Sequence, residues 1–191
     1  NDYTRGVSLS YAYQTKLSKK SELGIGFNLG FIDVGVEGEW IAPDGTTGSS
    51  DPLIPTSGTN DMVADLGLGL YYRLKEFYIG YSVTHLNEPT AIYSDNTRTF
   101  NFKKHHYVTL GWKNDVTSEL VLRPSMHVKT DQVSTQIDFN LNATYGDHLW
   151  GGVTYRLDDA VVLIAGYNIN KNLKFGYAYD ITTSDLKSES S

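Results

Sequence analysis

The adjacent pair His105 and His106 could supply metal ligands. Neighbouring residues of an extended segment point to opposite faces, and no acidic or histidine partner follows at a metal-ligand spacing, so the pair does not read as a metal site. Lys103, Lys104 and His105 read instead as a basic rim at a strand end. Asp158-Asp159 could offer oxygens to calcium, but hard cations take about six to eight of them and the neighbours supply few, which favours a tight turn. Gly24-Ile25-Gly26 and Gly67-Leu68-Gly69 imitate phosphate-cradling loops without opening a helix; glycine there lets a strand bend or leaves space beside it. No serine, histidine and acid set stands out by spacing, and the absence of cysteine removes thiol catalysis and cysteine-based metal sites. An esterase or protease barrel is therefore the least expected class, and no cofactor is expected.

The elements that carry these residues alternate. Ile137, Phe139, Leu141, Ala143 and Tyr145 interleave with Gln136, Asp138, Asn140, Asn142 and Thr144, the period-two pattern of a strand with one apolar and one polar face. The same pattern runs through Val7 to Tyr13, Leu23 to Phe31, Leu66 to Arg73 and Phe77 to Thr84. Further strands are predicted over His106 to Lys113, Leu120 to Lys129, Leu149 to Leu157, Ala160 to Ile169 and Leu173 to Ile181, which makes ten strands and no helix. Ala160 to Ile169 is apolar on both faces, so its inward side stays open. Pro124 cannot donate to a ladder and predicts a bulge or a strand end.

Net charge is −6, from 16 basic and 22 acidic residues, which argues against a nucleic-acid partner. Mean hydropathy is −0.33, and no run approaches the roughly 20 apolar residues of a spanning helix. A barrel wall would pass both tests unnoticed, because its apolar residues occupy alternate positions. Connections alternate in length: Lys16 to Glu22, Lys75-Glu76, Asn114 to Ser118, Gly146 to His148 and Asn170 to Asn172 are brief, whereas Ile41 to Asn60 and Leu86 to Lys104 are true loops. Outer-membrane barrels have short periplasmic turns and longer external loops, so the brief turns are expected to face the periplasm. The chain then starts and ends on the external side, and strand parity predicts a single barrel domain over 1–191 that lacks an odd number of N-terminal strands and an odd number of C-terminal strands, the closing strand among them. No signal peptide is visible in Asn1-Asp2-Tyr3-Thr4-Arg5.

In the second half the residues become specific. Leu122-Arg123-Pro124-Ser125, Gln136 to Asn142, Leu149-Trp150-Gly151-Gly152-Val153-Thr154-Tyr155-Arg156, Gly166-Tyr167-Asn168-Ile169 and Leu173 to Leu186 follow in an order that resembles the PorP/SprF family of Bacteroidetes outer-membrane proteins. The Tyr177-Ala178-Tyr179-Asp180 block is the most specific. The resemblance implies an antiparallel transmembrane β-barrel, ten of whose fourteen strands are in this chain. It also implies a role in type IX protein secretion and gliding. The partners it implies are periplasmic components, including an OmpA-like peptidoglycan-binding lipoprotein, and secreted surface adhesins.

Candidate lumen residues are Asp65, Arg73, Arg123, His127, Lys129, Asp138, Asn140, Asn142, Arg156, Lys174 and Asp180. Their mixed signs suit an ion-paired interior better than a selective ring of one charge. Tyrosine reaches 14 residues, and Tyr13, Tyr72, Tyr107, Tyr145, Tyr155, Tyr167 and Tyr179 are candidates for interfacial girdles facing outer-membrane lipid. Two rival classes remain: a passive or substrate-specific porin, and a soluble lipocalin-like barrel in which the tyrosines would line a core or cavity.

Overall fold

The alternation becomes strand throughout the computed structural model, which describes residues 2–37, 45, 58–93 and 99–183. Most of the expected cargo loop Ile41 to Asn60 lies outside the described residues, as do Ser184-Asp185-Leu186 and the remainder to Ser191. In chain order the strands are β1 (Asp2–Ser18), β2 (Ser21–Val36), β3 (Asn60–Leu74), β4 (Phe77–Thr84), β5 (Thr90–Ile92), β6 (Thr99–Asn101), β7 (His105–Trp112), β8 (Asn114–Asp115), β9 (Leu120–Thr130), β10 (Thr135–Tyr145), β11 (Leu149–Arg156), β12 (Ala160–Asn168) and β13 (Lys174–Thr182). No helix among the described residues is long and apolar enough to cross a membrane.

One antiparallel sheet follows the order β1-β2-β3-β4-β7-β9-β10-β11-β12-β13, so every strand expected from the sequence is present. β9 and β10 have 11 residues each, and β12 and β13 have 9, the length that tilted strands need to cross a membrane. Hairpin β5–β6, inside the Leu86 to Lys104 loop, was not expected.

Register keeps the two faces apart. Phe139 lies opposite Met126 and Tyr155, and Leu141 opposite Pro124 and Val153; Asp138 lies opposite His127 and Arg156, and Asn140 opposite Ser125 and Thr154. A slip of one residue would exchange these rows, so the burial preference of each face fixes the pairing. The same register resolves Ala160 to Ile169. Leu163 pairs with Val153 and Tyr179 on the apolar face, whereas Val162 pairs with Thr154 and Asp180 on the polar one. Pro124 neither bulges nor ends β9, which stays in register with β10. Its missing N–H instead falls in the gap between the β7 and β8 pairings with β9, at the Trp112–Lys113 step.

The described chain forms two compact units. The first contains 1–13, 25–69 and 83–105. Its apolar face, with Val7, Leu9, Phe27 and Phe31, gives way toward the loops to polar residues on the same face. There Arg5 pairs with Glu37 and lies 4.3 Å over the Tyr3 ring, and Asn60 donates to Asp33 at 3.0 Å. β1, β2 and β3, at 17, 16 and 15 residues, thus run past the apolar band. On the opposite face Ile32, Val34, Val36 and Val63 receive the β5–β6 hairpin, whose Ala91, Tyr93, Phe100 and Phe102 complete a buried cluster.

The second unit contains 14–24, 70–82 and 106–191. Its apolar face exposes Leu141, Tyr145, Leu163, Tyr167, Phe175 and Tyr177, the last two at 69% and 68%. A contiguous apolar face this large belongs against lipid or another apolar surface.

Candidate functional site

The polar face of the second unit is a lattice of short-range pairs. Arg156 sits 3.0 Å from Asp159, 3.7 Å from Asp138 and 3.8 Å from Asp180, so one guanidinium serves three carboxylates. Thr154 donates to Asn140 at 2.6 Å and Arg123 to Thr144 at 2.8 Å, while His127 stacks on Tyr107 at 6.0 Å. Asn142 lies against Gly152. Lys129 and Lys174 share this face by register and are exposed. Trp150, absent from the sequence candidates, lies flat over Gly166 and Gly176; a Cβ at either glycine would enter its ring. In the first unit Asp65 Oδ1 accepts from His85 Nδ1 at 2.8 Å.

Tyr13, Tyr145, Tyr155, Tyr167 and Tyr179 are exposed on the apolar face, and Tyr72 shares that face by alternation with Leu70 and Leu74. Tyr107 does not belong with them. It pairs with Lys129 and stacks on His127, because the apolar row of β7 is Val108, Leu110 and Trp112. That alternation was visible in the sequence and outweighs residue type.

The histidine pair divides. His105 Nδ1 contacts the Lys103 carbonyl at 3.0 Å, whereas His106 lies 2.8 Å from the Tyr81 hydroxyl and 3.2 Å from Gln132 Nε2. Among the described residues no three His, Asp or Glu side chains are grouped to hold a metal ion. Asp158 adopts φ +57° in the turn before β12, and Asp159 is taken by Arg156.

At the short-turn end of the second unit, a cavity of about 590 Å³ is lined by Ser18, Lys19, Lys20, Ser21, Glu22, Arg73, Lys75 and Glu76. Two turns are locked together there by the Lys75 amide donating to the Lys20 carbonyl at 2.7 Å. Arg73 is committed to Glu22 at 2.7 Å, and the Ser18 and Ser21 hydroxyls share a 2.8 Å hydrogen bond. Of these residues only Arg73 was a sequence candidate; the Lys19-Lys20 pair and a two-residue turn with neither glycine nor asparagine were the overlooked signals.

The exposed apolar face is that of a membrane wall. No curated protein matches the chain. A family model described as type IX secretion system membrane protein PorP/SprF matches residues 3–191. Wall, outer-membrane location and a part in protein secretion therefore go together: this chain belongs to the PorP/SprF family of type IX secretion system outer-membrane β-barrels.

Proposed function

We propose that this chain is a non-enzymatic scaffold of the secretion machinery, with periplasmic components held at its short turns and a secreted surface protein received on the loop side. An OmpA-like peptidoglycan-binding lipoprotein and a surface adhesin are the partner types proposed. On this reading the polar face lines a lumen, from Asp65 and Arg73 through Arg123, His127, Lys129, Asp138, Asn140, Asn142, Arg156 and Lys174 to Asp180. The tyrosines of the apolar face sit at the lipid interfaces, and further strands beside β1 and β13 close the wall, since an unpaired edge in lipid costs several kcal/mol per orphaned group, as a rough scale.

One observation supports scaffold over porin. In the first unit the β5–β6 hairpin folds onto the polar side of the wall and buries Ala91 and Tyr93 completely against Val34 and Val36. It is pinned at several points. Ile92 N donates to Asp61 Oδ2 at 2.8 Å, Leu86 N to the Leu66 carbonyl at 2.8 Å, and the Asn87 side chain accepts from Leu66 N and donates to the Ala64 carbonyl. A segment held by apolar burial is a resident obstruction, which an open diffusion pore would not carry there. The test is conductance of the pure protein in planar bilayers. The expected result is a silent membrane with the wild-type protein and steady currents after residues 90–101 are replaced by a glycine-serine linker. Steady open channels from the wild-type protein would establish the porin instead.

A further inference from the structure

The chain carries an excess of acid, yet the cavity at its short-turn end reverses that sign. Four cations, Lys19, Lys20, Arg73 and Lys75, meet two carboxylates, Glu22 and Glu76, a local balance of four minus two, or +2, against −6 for the chain. Arg73 and Glu22 satisfy each other at 2.7 Å. The lysine ammoniums therefore supply the uncommitted charge.

The second observation is conformational. Lys75 stands in the two-residue turn between β3 and β4 with φ +52°. That left-handed conformation costs a side-chain-bearing residue roughly 1–2 kcal/mol, which is why glycine or asparagine usually occupies such hairpin positions. His85, Glu88, Gln132 and Asp158 share this conformation; at Lys75 it coincides with an ammonium that lines the cavity. Lys75 lines the cavity together with Lys19 and Lys20, over a frame fixed by the Lys75-to-Lys20 backbone hydrogen bond.

We infer that Lys19, Lys20 and Lys75 form a docking site for an acidic, carboxylate-rich stretch of a periplasmic polypeptide. This rests on the proposed periplasmic orientation of the short turns. A polypeptide fits better than a lipid headgroup, because Ser18, Glu22 and Arg73 place the cavity on the polar face of the wall, where acyl chains do not run. A volume of about 590 Å³ lies within the range of organic-ligand sites and takes several side chains, whereas a single phosphate would leave most of it empty. The one arginine fork, the group best suited to grip phosphate bidentately, is already occupied by Glu22. Glu76, which also lines the cavity, would pair with a basic residue flanking the acidic stretch.

The test uses the full chain in detergent micelles and a fluorescent deca-glutamate peptide, read by anisotropy. Binding is expected to weaken about threefold to fivefold with Lys75→Gly, the range of one partly screened ion pair, and to survive in Lys75→Arg. Lys19→Glu combined with Lys20→Glu should abolish it, and raising salt from about 0.05 M to about 0.5 M should weaken every variant that binds. A structural role alone predicts the reverse for Lys75→Gly, which relieves strain and would leave binding unchanged. Peptide binding indifferent to all three substitutions overturns the inference, as does preference for phosphatidylglycerol vesicles or inorganic phosphate over the peptide. The orientation is checked separately. Asp147→Cys, on another short turn, should resist an impermeant maleimide on intact cells; labelling there with peptide binding intact would sink the orientation and leave the binding site standing.

Discussion

The two units cover the polar faces of their own strands by opposite means. In the first, a hairpin from a loop lays Ala91, Tyr93, Phe100 and Phe102 on Ile32, Val34, Val36 and Val63, and water is excluded. In the second, the polar side is covered by its own short-range pairs, Arg156 with three aspartates, Thr154 with Asn140 and Arg123 with Thr144, and it ends in an open cavity lined by Lys19, Lys20 and Lys75. Apolar burial is permanent because nothing in water competes for it. Charges in contact with water stay exchangeable, since a partner's carboxylate can replace solvent at small cost. On the proposed reading the first unit obstructs and the second recognises.

Removing the hairpin's largest buried side chain gives the strongest test of that contrast. Tyr93→Ala should cost about 3–5 kcal/mol of hairpin docking, as truncating a buried aromatic does. The chain has no cysteine, so Val36→Cys can report docking alone. Its reaction with a water-soluble maleimide should be blocked in the parent and accelerate about a hundredfold or more with Tyr93→Ala, since each factor of ten corresponds to about 1.4 kcal/mol. Equal reactivity in both would mean that the hairpin is not held by this cluster.

In the second unit the corresponding test adds volume. Gly166→Ala would drive a methyl into the Trp150 ring, an overpacking expected to cost about 1–3 kcal/mol by urea unfolding in detergent. The cost should be partly recovered when Trp150→Leu is added, because the two changes share one contact. Additive losses would show that the ring is free to move away.

What the sequence disclosed follows from the range of each interaction. All the wall strands were legible, since alternation is written in adjacent residues and register merely joins it. The hairpin was not: Thr90–Ile92 and Thr99–Asn101 are three residues each, too short for a period, and their burial depends on Val34 and Val36 more than fifty positions upstream. Ala160 to Ile169 could not be oriented alone because both its faces are apolar; Asp180 and Thr154 across the ladder decide it. Most candidate polar residues were identified by face, but their pairing was not, because Arg156 finds its aspartates on three different segments. Trp150 was overlooked because its glycines lie on neighbouring strands, where no local pattern links them.

Arg156 allows a smaller test of the exchangeable side. Arg156→Met leaves Asp138, Asp159 and Asp180 facing one another without a cation, and the partly exposed setting limits the expected loss to about 1–2 kcal/mol. The loss should shrink as salt is raised, because screening weakens the repulsion that remains. A loss insensitive to salt would reveal that the arginine acts through its packed stem.

The smallest effect has the opposite sign. Lys75→Gly removes a side chain from a left-handed turn position, and the relief of about 1–2 kcal/mol is reduced by the greater freedom that glycine gives the unfolded chain. A net stabilisation of about 0.5–1 kcal/mol is expected, read as a higher urea midpoint at unchanged slope. Asp158→Gly, also at a left-handed turn position with φ +57°, should stabilise by a similar amount. Asp158 lies outside the lysine cavity, so this change should leave acidic-peptide binding untouched. If both substitutions stabilise and only Lys75→Gly weakens binding, turn strain and recognition are separated at a single residue. If neither stabilises, the turns tolerate these side chains without strain, and Lys75 must be judged by its charge alone.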